Sequence, residues 1–399
     1  MIARRLFFIS ARSLASHSTN ANEVLISAVN GKRVITLNRP RALNALNLSM
    51  VRTMYPKYKK WSEDGDVCLV MMKGAGDKAF CAGGDVVAVT KSFKANDPAQ
   101  TVHKDFFREE YLLNHQIGTC KMPHVALIDG ITMGGGCGLS VHGKFRVATE
   151  RTMLAMPETA LGLFPDVGGS YFLPRLGHYL GQFIALTGYR LNGADVYHAG
   201  IATHFVPSSS LADLEQELVN LPKSEVCNER VDEVISKFKA NAMPKFSLNP
   251  LLSEIESVFS ASTVEEIIER LQKSETDFAR KQNAVLAKMS PTSMKITLRQ
   301  LQEGSKMEFA EVFTMEYRLT QNIMKGHDFH EGCRAILVEK DRKPVWKPAK
   351  LEDVTAEMLD GYFAPLPFFA EGLLRRYSGC TSVRLFLRSI FPNHKLQMF

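Results

Sequence analysis

Between residues 24 and 148, short apolar runs alternate with helix-period segments and glycine-rich turns, and that alternation leaves few folds open. The first unit is a hairpin. Val24-Leu25-Ile26-Ser27-Ala28-Val29 and Lys32-Arg33-Val34-Ile35-Thr36-Leu37 are joined by Asn30-Gly31, a pair that accepts positive φ at both central positions of a tight turn. Asn38-Arg39-Pro40 ends the second run. Spacing then predicts a helix over 48–61, with Val51, Tyr55, Tyr58 and Trp61 on one stripe. Residues 67–72 read as a short apolar strand, 74–85 as a glycine-punctuated loop, and 105–118 as a helix. His124–Ile128 and Phe145–Ala148 read as two more strands. Strand, helix and strand in this order imply parallel pairing through right-handed crossovers, the α/β class. Ligands on such sheets bind beyond the carboxyl ends of strands, where these glycine turns fall.

From about Leu211 strand-like runs cease and helical periods follow, at 263–271, 290–303 and 309–324. Ser290-Pro291 is a helix start, with serine as cap and proline in the first turn. Four segments result: an address segment over 1–22, an α/β core over 23–210, a helical part over 211–363, and a basic tail over 364–399. Residues 1–22 hold Arg4, Arg5 and Arg12, several serines, an apolar Leu6-Phe7-Phe8-Ile9 cluster and no acid, which is transit-peptide composition. These three arginines account for 3 of the formal charge of +7 and leave +4. So mild an excess fits a small anionic ligand and gives no footprint for nucleic acid. No apolar run approaches the roughly 18 residues of a membrane helix. The seven cysteines, with no CxxC pair, read as free thiols of a reducing compartment.

Two glycine clusters carry chemistry. Phe80-Cys81-Ala82-Gly83-Gly84-Asp85 and Gly134-Gly135-Gly136-Cys137-Gly138 each follow a strand and open a helix. Glycine lets backbone approach a ligand closely, and two such turns side by side would aim two N–H donors at one oxygen. Either cluster alone reads better as a tight turn with no ligand. Neither is a phosphate cradle, since neither ends in Gly-Lys-Ser/Thr. Met156-Pro157-Glu158 and Leu163-Phe164-Pro165-Asp166-Val167-Gly168-Gly169 place two acids eight residues apart among prolines and apolar side chains. Partial desolvation would raise their proton affinity toward that of a general acid or base. From spacing alone, two surface loop acids remain the competing reading. Cys81 and Cys137 could be nucleophiles but read more simply as small buried residues. His103, His124 and His142 are too scattered for a metal site.

In combination, Asn38-Arg39-Pro40, Ala42-Leu43-Asn44-Ala45-Leu46, Phe80 to Asp85, Gly134-Gly135-Gly136 and Met156-Pro157-Glu158 resemble the crotonase (enoyl-CoA hydratase/isomerase) family. The resemblance implies a repeated ββα spiral core with a helical C-terminal extension. It also implies an acyl-CoA substrate, with no cofactor beyond the coenzyme A that the substrate carries. Gly84 and Gly135 fall on the two oxyanion donors, and Arg41, Ala42 and Leu43 on the contacts to the CoA phosphates and adenine. Hydratases carry a second glutamate after the glycine turn; here that position is Gly138, and Asp166 stands where they have glycine. Phe107-Arg108-Glu109-Glu110-Tyr111, Pro165 to Gly169, Phe329-His330-Glu331-Gly332 and Trp346-Lys347-Pro348 resemble the branch that hydrolyses 3-hydroxyisobutyryl-CoA, and 3-hydroxypropionyl-CoA beside it, in mitochondrial valine breakdown. By that resemblance Glu158 is nucleophile or general base, Asp166 orients the substrate hydroxyl or the water, and Glu110 contacts the acyl hydroxyl. An enoyl-CoA hydratase or isomerase, and an acyl-CoA binder without chemistry, are the alternatives. Family members often form trimers, which leaves a homo-oligomer open.

Overall fold

A computed structural model describes residues 23–366. The address segment and the tail from residue 367 lie outside the described residues. The hairpin forms with the expected bounds: β1 (Val24–Val29) pairs antiparallel with β2 (Lys32–Leu37) across Asn30 (φ 46°) and Gly31 (φ 80°). The helix α1 (Leu48–Asp64) follows, its first turn capped by the Asn47 side chain, which accepts from Met50 N. Its buried face is Met50, Val51, Met54 and Tyr58, whereas Tyr55 and Trp61 are only partly covered, a rotation from the expected stripe.

The next strands come in pairs, one to each of two sheets. These are β3 (Leu69–Gly74) with β4 (Ala79–Cys81), β5 (His124–Ile128) with β6 (Ile131–Met133), and β7 (Phe145–Ala148) with β8 (Met153–Ala155). The first members build a six-stranded sheet in the order β1-β2-β3-β5-β7-β10, closed by β10 (His204–Phe205). The second members build a four-stranded sheet, β4-β6-β8-β9, ending on β9 (Leu191–Asn192). Apart from β1–β2 and β8–β9 all pairs are parallel. Helices α2 (Val86–Lys94) and α3 (Val102–Thr119) follow β4, and α4 (Gly135–Ser140) follows β6, completing the ββα turns of a spiral. The strand expected over 67–72 starts two residues later, because β2 offers its first pairing residue, Lys32, to Leu69. The loop expected over 74–85 contains β4, too short for a periodic signal.

The apolar character of β3 follows from burial on both faces. Val70 and Met72 face the main core. Leu69 and Met71 face a second cluster, covered by Leu214, Leu218, Val231, Val234 and Ile235 of the helices Leu211–Asn220 and Asn228–Lys237. Strands end at Phe205 and the described chain is helical from there. Helices Pro291–Gly304 and Phe309–Ile323 share the main core with the sheets: Gly118 of α3 meets the Phe309 ring and Gly304 meets the Ser170 carbonyl, each too close for a side chain. No described helix is long and apolar enough to cross a membrane.

Candidate active site

The two glycine turns lie against each other. Leu46 accepts from Asp85 N and donates to Gly83 O, a parallel bridge that directs the Gly84 N–H the other way. Gly134 (φ 46°) turns the chain into α4, so the Gly135 N–H belongs to a first turn with no carbonyl one turn earlier to receive it. A methyl built on Gly135 would lie 3.3 Å from the Gly84 nitrogen and 2.7 Å from Glu110 Oε1; one on Gly134 would lie 2.8 Å from Glu158 Oε1. Glycine is required here to leave the backbone open to a ligand.

Both turns line a cavity of about 110 Å³ together with Glu110, Glu158 and Asp166, walled by Phe106, Phe107, Leu161, Leu163 and Leu337. All three carboxylates are buried. Glu110 comes from α3. Glu158 opens a 3-10 turn, Glu158–Leu161, pinned from behind by close contact of Gly162 with Asp328 and of Gly332 with Leu161. Asp166 follows Pro165. Glu110 Oε1 and Glu158 Oε2 have no hydrogen-bond partner in the protein. Such atoms in a cavity are poised for a ligand or water. Burial first, then the neighbouring carboxylates, raises the proton affinity of Glu110 and Glu158 well above the usual range. Burial raises Asp166 to about 6, held back by the Tyr111 hydroxyl, which donates to its Oδ2 at 2.6 Å.

Arg41 and Leu43 do not reach this cavity. They line a second hollow of about 290 Å³ with Ala75–Ala79, and Ala42 lies between them in the 3-10 turn Pro40–Ala42. The two hollows share a wall, since Ala82 N donates to Leu43 O and Leu46 bridges Gly84. Burial pushes the Cys81 thiol up to about 12 and Cys137 well above its ordinary value, which leaves both un-ionised and poor nucleophiles. His124 bonds Tyr58, His142 bonds Val167 O and His103 lies beside Ser92, three separate places.

Gly138 has no room for a side chain: its Cβ would meet Val167 Cβ at 2.6 Å and the Asn114 amide at 2.9 Å. Several residues around Asp166 carry no local sequence signal. Gln300 Nε2 donates to Pro165 O (2.7 Å), His142 Nε2 to Val167 O (2.7 Å), and Glu316 accepts from Gly168 N (2.7 Å) and Ser170 N (2.9 Å). The one available hint was an acid on an apolar stripe, since Glu316 falls in register with Phe309, Val312, Phe313 and Thr320.

The sequence profile of the enoyl-CoA hydratase/isomerase family matches residues 32–363. A human protein named 3-hydroxyisobutyryl-CoA hydrolase, mitochondrial, is 55% identical over 355 residues, 88% of this chain and 91% of that one. Its chicken counterpart of the same name is 53% identical over 352 residues, again 88% and 91%. Among solved structures, a carnitinyl-CoA dehydratase from Mycobacterium thermoresistibile superposes with a TM-score of 0.79 at 36% identity, covering 86% of this chain and 97% of that one. An enoyl-CoA hydratase from Rhodobacter sphaeroides gives 0.78 at 36%, with 86% and 98% covered.

Proposed function

The chain belongs to the enoyl-CoA hydratase/isomerase family, and from that membership we propose a mitochondrial hydrolase that cleaves 3-hydroxyisobutyryl-CoA to the free hydroxy acid and CoA. The observation that carries the reading is one cavity faced by Glu158 and Asp166, beside a Gly138 with no space for a second glutamate. Hydration needs two carboxylates flanking the added water, and the second position is filled by Val167 and Asn114 instead.

In this reading the thioester oxygen sits between the N–H groups of Gly84 and Gly135, which stabilise the oxyanion as its charge develops; such a donor typically contributes about 2.7–4 kcal/mol. Glu158, once ionised, either attacks the carbonyl carbon itself or takes a proton from a water that does. In both routes the C–S bond breaks as the oxyanion collapses, and the CoA thiolate leaves and takes up a proton. In the first route water then cleaves the acyl-glutamate anhydride. Tyr111 holds Asp166 Oδ2, and the carboxylate so fixed orients the substrate hydroxyl or the water. Glu110, whose proton affinity burial raises, meets the acyl hydroxyl. Arg41, Ala42 and Leu43 contact the phosphates and adenine of CoA. We take 23–210 as the acyl-CoA-binding core and 211–363 as the part that closes over it, in a matrix enzyme of valine breakdown that also accepts 3-hydroxypropionyl-CoA.

The test is thiol release from 3-hydroxyisobutyryl-CoA by protein lacking residues 1–22, corrected for its own cysteines. Release far above that of Glu158→Gln is expected. Crotonyl-CoA hydration without thiol release would return the chain to the hydratases, and CoA binding with neither activity would make it a non-catalytic binder.

A further inference from the structure

Asp166 opens a tight turn, closed by Gly169 N donating to Asp166 O at 2.7 Å, whose central residues are both left-handed. Val167 sits at φ 52°, a left-handed conformation that a β-branched side chain adopts only when its surroundings impose it. Gly168 follows at φ 83°. Two successive left-handed residues swing the N–H groups of Gly168 and Ser170 inward, away from solvent, where each needs an acceptor. Both find it on one side chain, the carboxylate of Glu316, with Oε2 on Gly168 and Oε1 on Ser170.

Glu316 arrives from 146 to 148 residues away, on the helix Phe309–Ile323, and is fully buried. A carboxyl is a costly choice for that place. The site already holds Glu110, Glu158 and Asp166, and a fourth acid adds like charge in a dry interior whenever it ionises. What it supplies is two acceptor oxygens in a fixed fork, which neither an amide nor a hydroxyl side chain matches for two donors two residues apart. The other side-chain ties on the turn, from Gln300, His142 and Tyr111, grip single atoms; Glu316 holds two, starting at the peptide that follows the strained Val167.

We propose that Glu316 is a positioning residue for the hydrolysis: by strapping the Val167 turn it holds the Asp166 carboxylate toward the cavity, and so sets the preference for an acyl group bearing a hydroxyl. The inference rests on the reading of Asp166 given above and acts only through it. The helix Phe309–Ile323 thereby takes part in substrate selection from outside the cavity lining.

The experiment is a double-mutant cycle on the full chain, comparing kcat/KM for 3-hydroxyisobutyryl-CoA with that for isobutyryl-CoA, which lacks the hydroxyl. Glu316→Gln, Asp166→Asn and the double variant are measured, each with its unfolding midpoint. Glu316→Gln is expected to cut the preference by roughly tenfold, the size of one buried N–H left without its acceptor, toward that of Asp166→Asn. The double variant should be no worse than Asp166→Asn alone. An equal loss on both substrates would make Glu316 purely structural and overturn the proposal, as would losses that multiply in the double variant. An unchanged preference in Asp166→Asn would overturn the reading of Asp166 itself, and the proposal with it. Should Glu316→Gln not fold, Glu316→Asp, which keeps the carboxyl and shortens the reach, carries the same comparison with the same outcomes.

Discussion

A carboxyl buried beside two others must lose its proton before it can act, and Glu158 starts from a proton affinity raised by burial and by Asp166. Turnover is therefore expected to fall on the acid side at a pH well above the ordinary glutamate range, as Glu158 takes up its proton beside Asp166. A pH profile of kcat/KM that stayed flat down to pH 4.5 would remove Glu158 from the reaction. Glu316 gives a second, non-kinetic expectation. Burial lifts it from 4.5 to about 8, with the Gly168 amide holding it back and the charge of Asp166 adding to the rise. The folded state then holds this proton more tightly than the unfolded chain does. Its stabilising effect is fully present below pH 4.5 and is lost as pH rises through about 8. Glu316→Gln should flatten the fall of stability across that window, measured by chemical denaturation at several pH values. An undiminished slope would mean that Glu316 does not titrate there.

At the scale of elements, the turn 165–170 and α4 exclude each other's side chains. Gly138→Glu would drive a Cβ into Val167 and Asn114, so it should destabilise the protein by about 1–3 kcal/mol or more, as overpacked sites do, without conferring crotonyl-CoA hydration. A stable variant that hydrates would show the turn to be soft. The same comparison explains what a single sequence could disclose. The β1–β2 hairpin was legible to the residue because Asn30-Gly31 carries its own turn chemistry. His124–Ile128 and Phe145–Ala148 were legible because they are apolar runs between turn signals. The strands β4, β6, β8, β9 and β10 run two or three residues each, and they are strands only because successive turns of the spiral stack them. The acids Glu158 and Asp166 stood out by their prolines. Tyr111, Gln300 and Glu316 did not, since their partners lie 55, 135 and up to 148 residues away and no local period reports such contacts.

For the whole molecule, the helices after residue 210 are not an appendage. They supply Phe309, Val312, Phe313, Met294 and Leu301 to the core that the sheets use, and they cover the outer face of the larger sheet. Cutting the chain after residue 210 should leave apolar faces of both sheets bare and yield no cooperative unfolding transition. A truncated protein that melts sharply would instead mark an independently folding half.

The cluster of Glu110, Glu158 and Asp166 in one small cavity has a consequence for the end of the reaction cycle. The thioester enters without charge at its acyl end. Hydrolysis creates a carboxylate there, an anion inside a wall of buried acids and away from solvent. Each acid ionised at that moment repels it, so the product is driven out by the same groups that made it. The free hydroxy acid should therefore inhibit far more weakly than CoA, and inhibit better as the pH is lowered and the wall becomes neutral. Departure of the acid would then be built into the chemistry, and turnover would slow little where the acid accumulates.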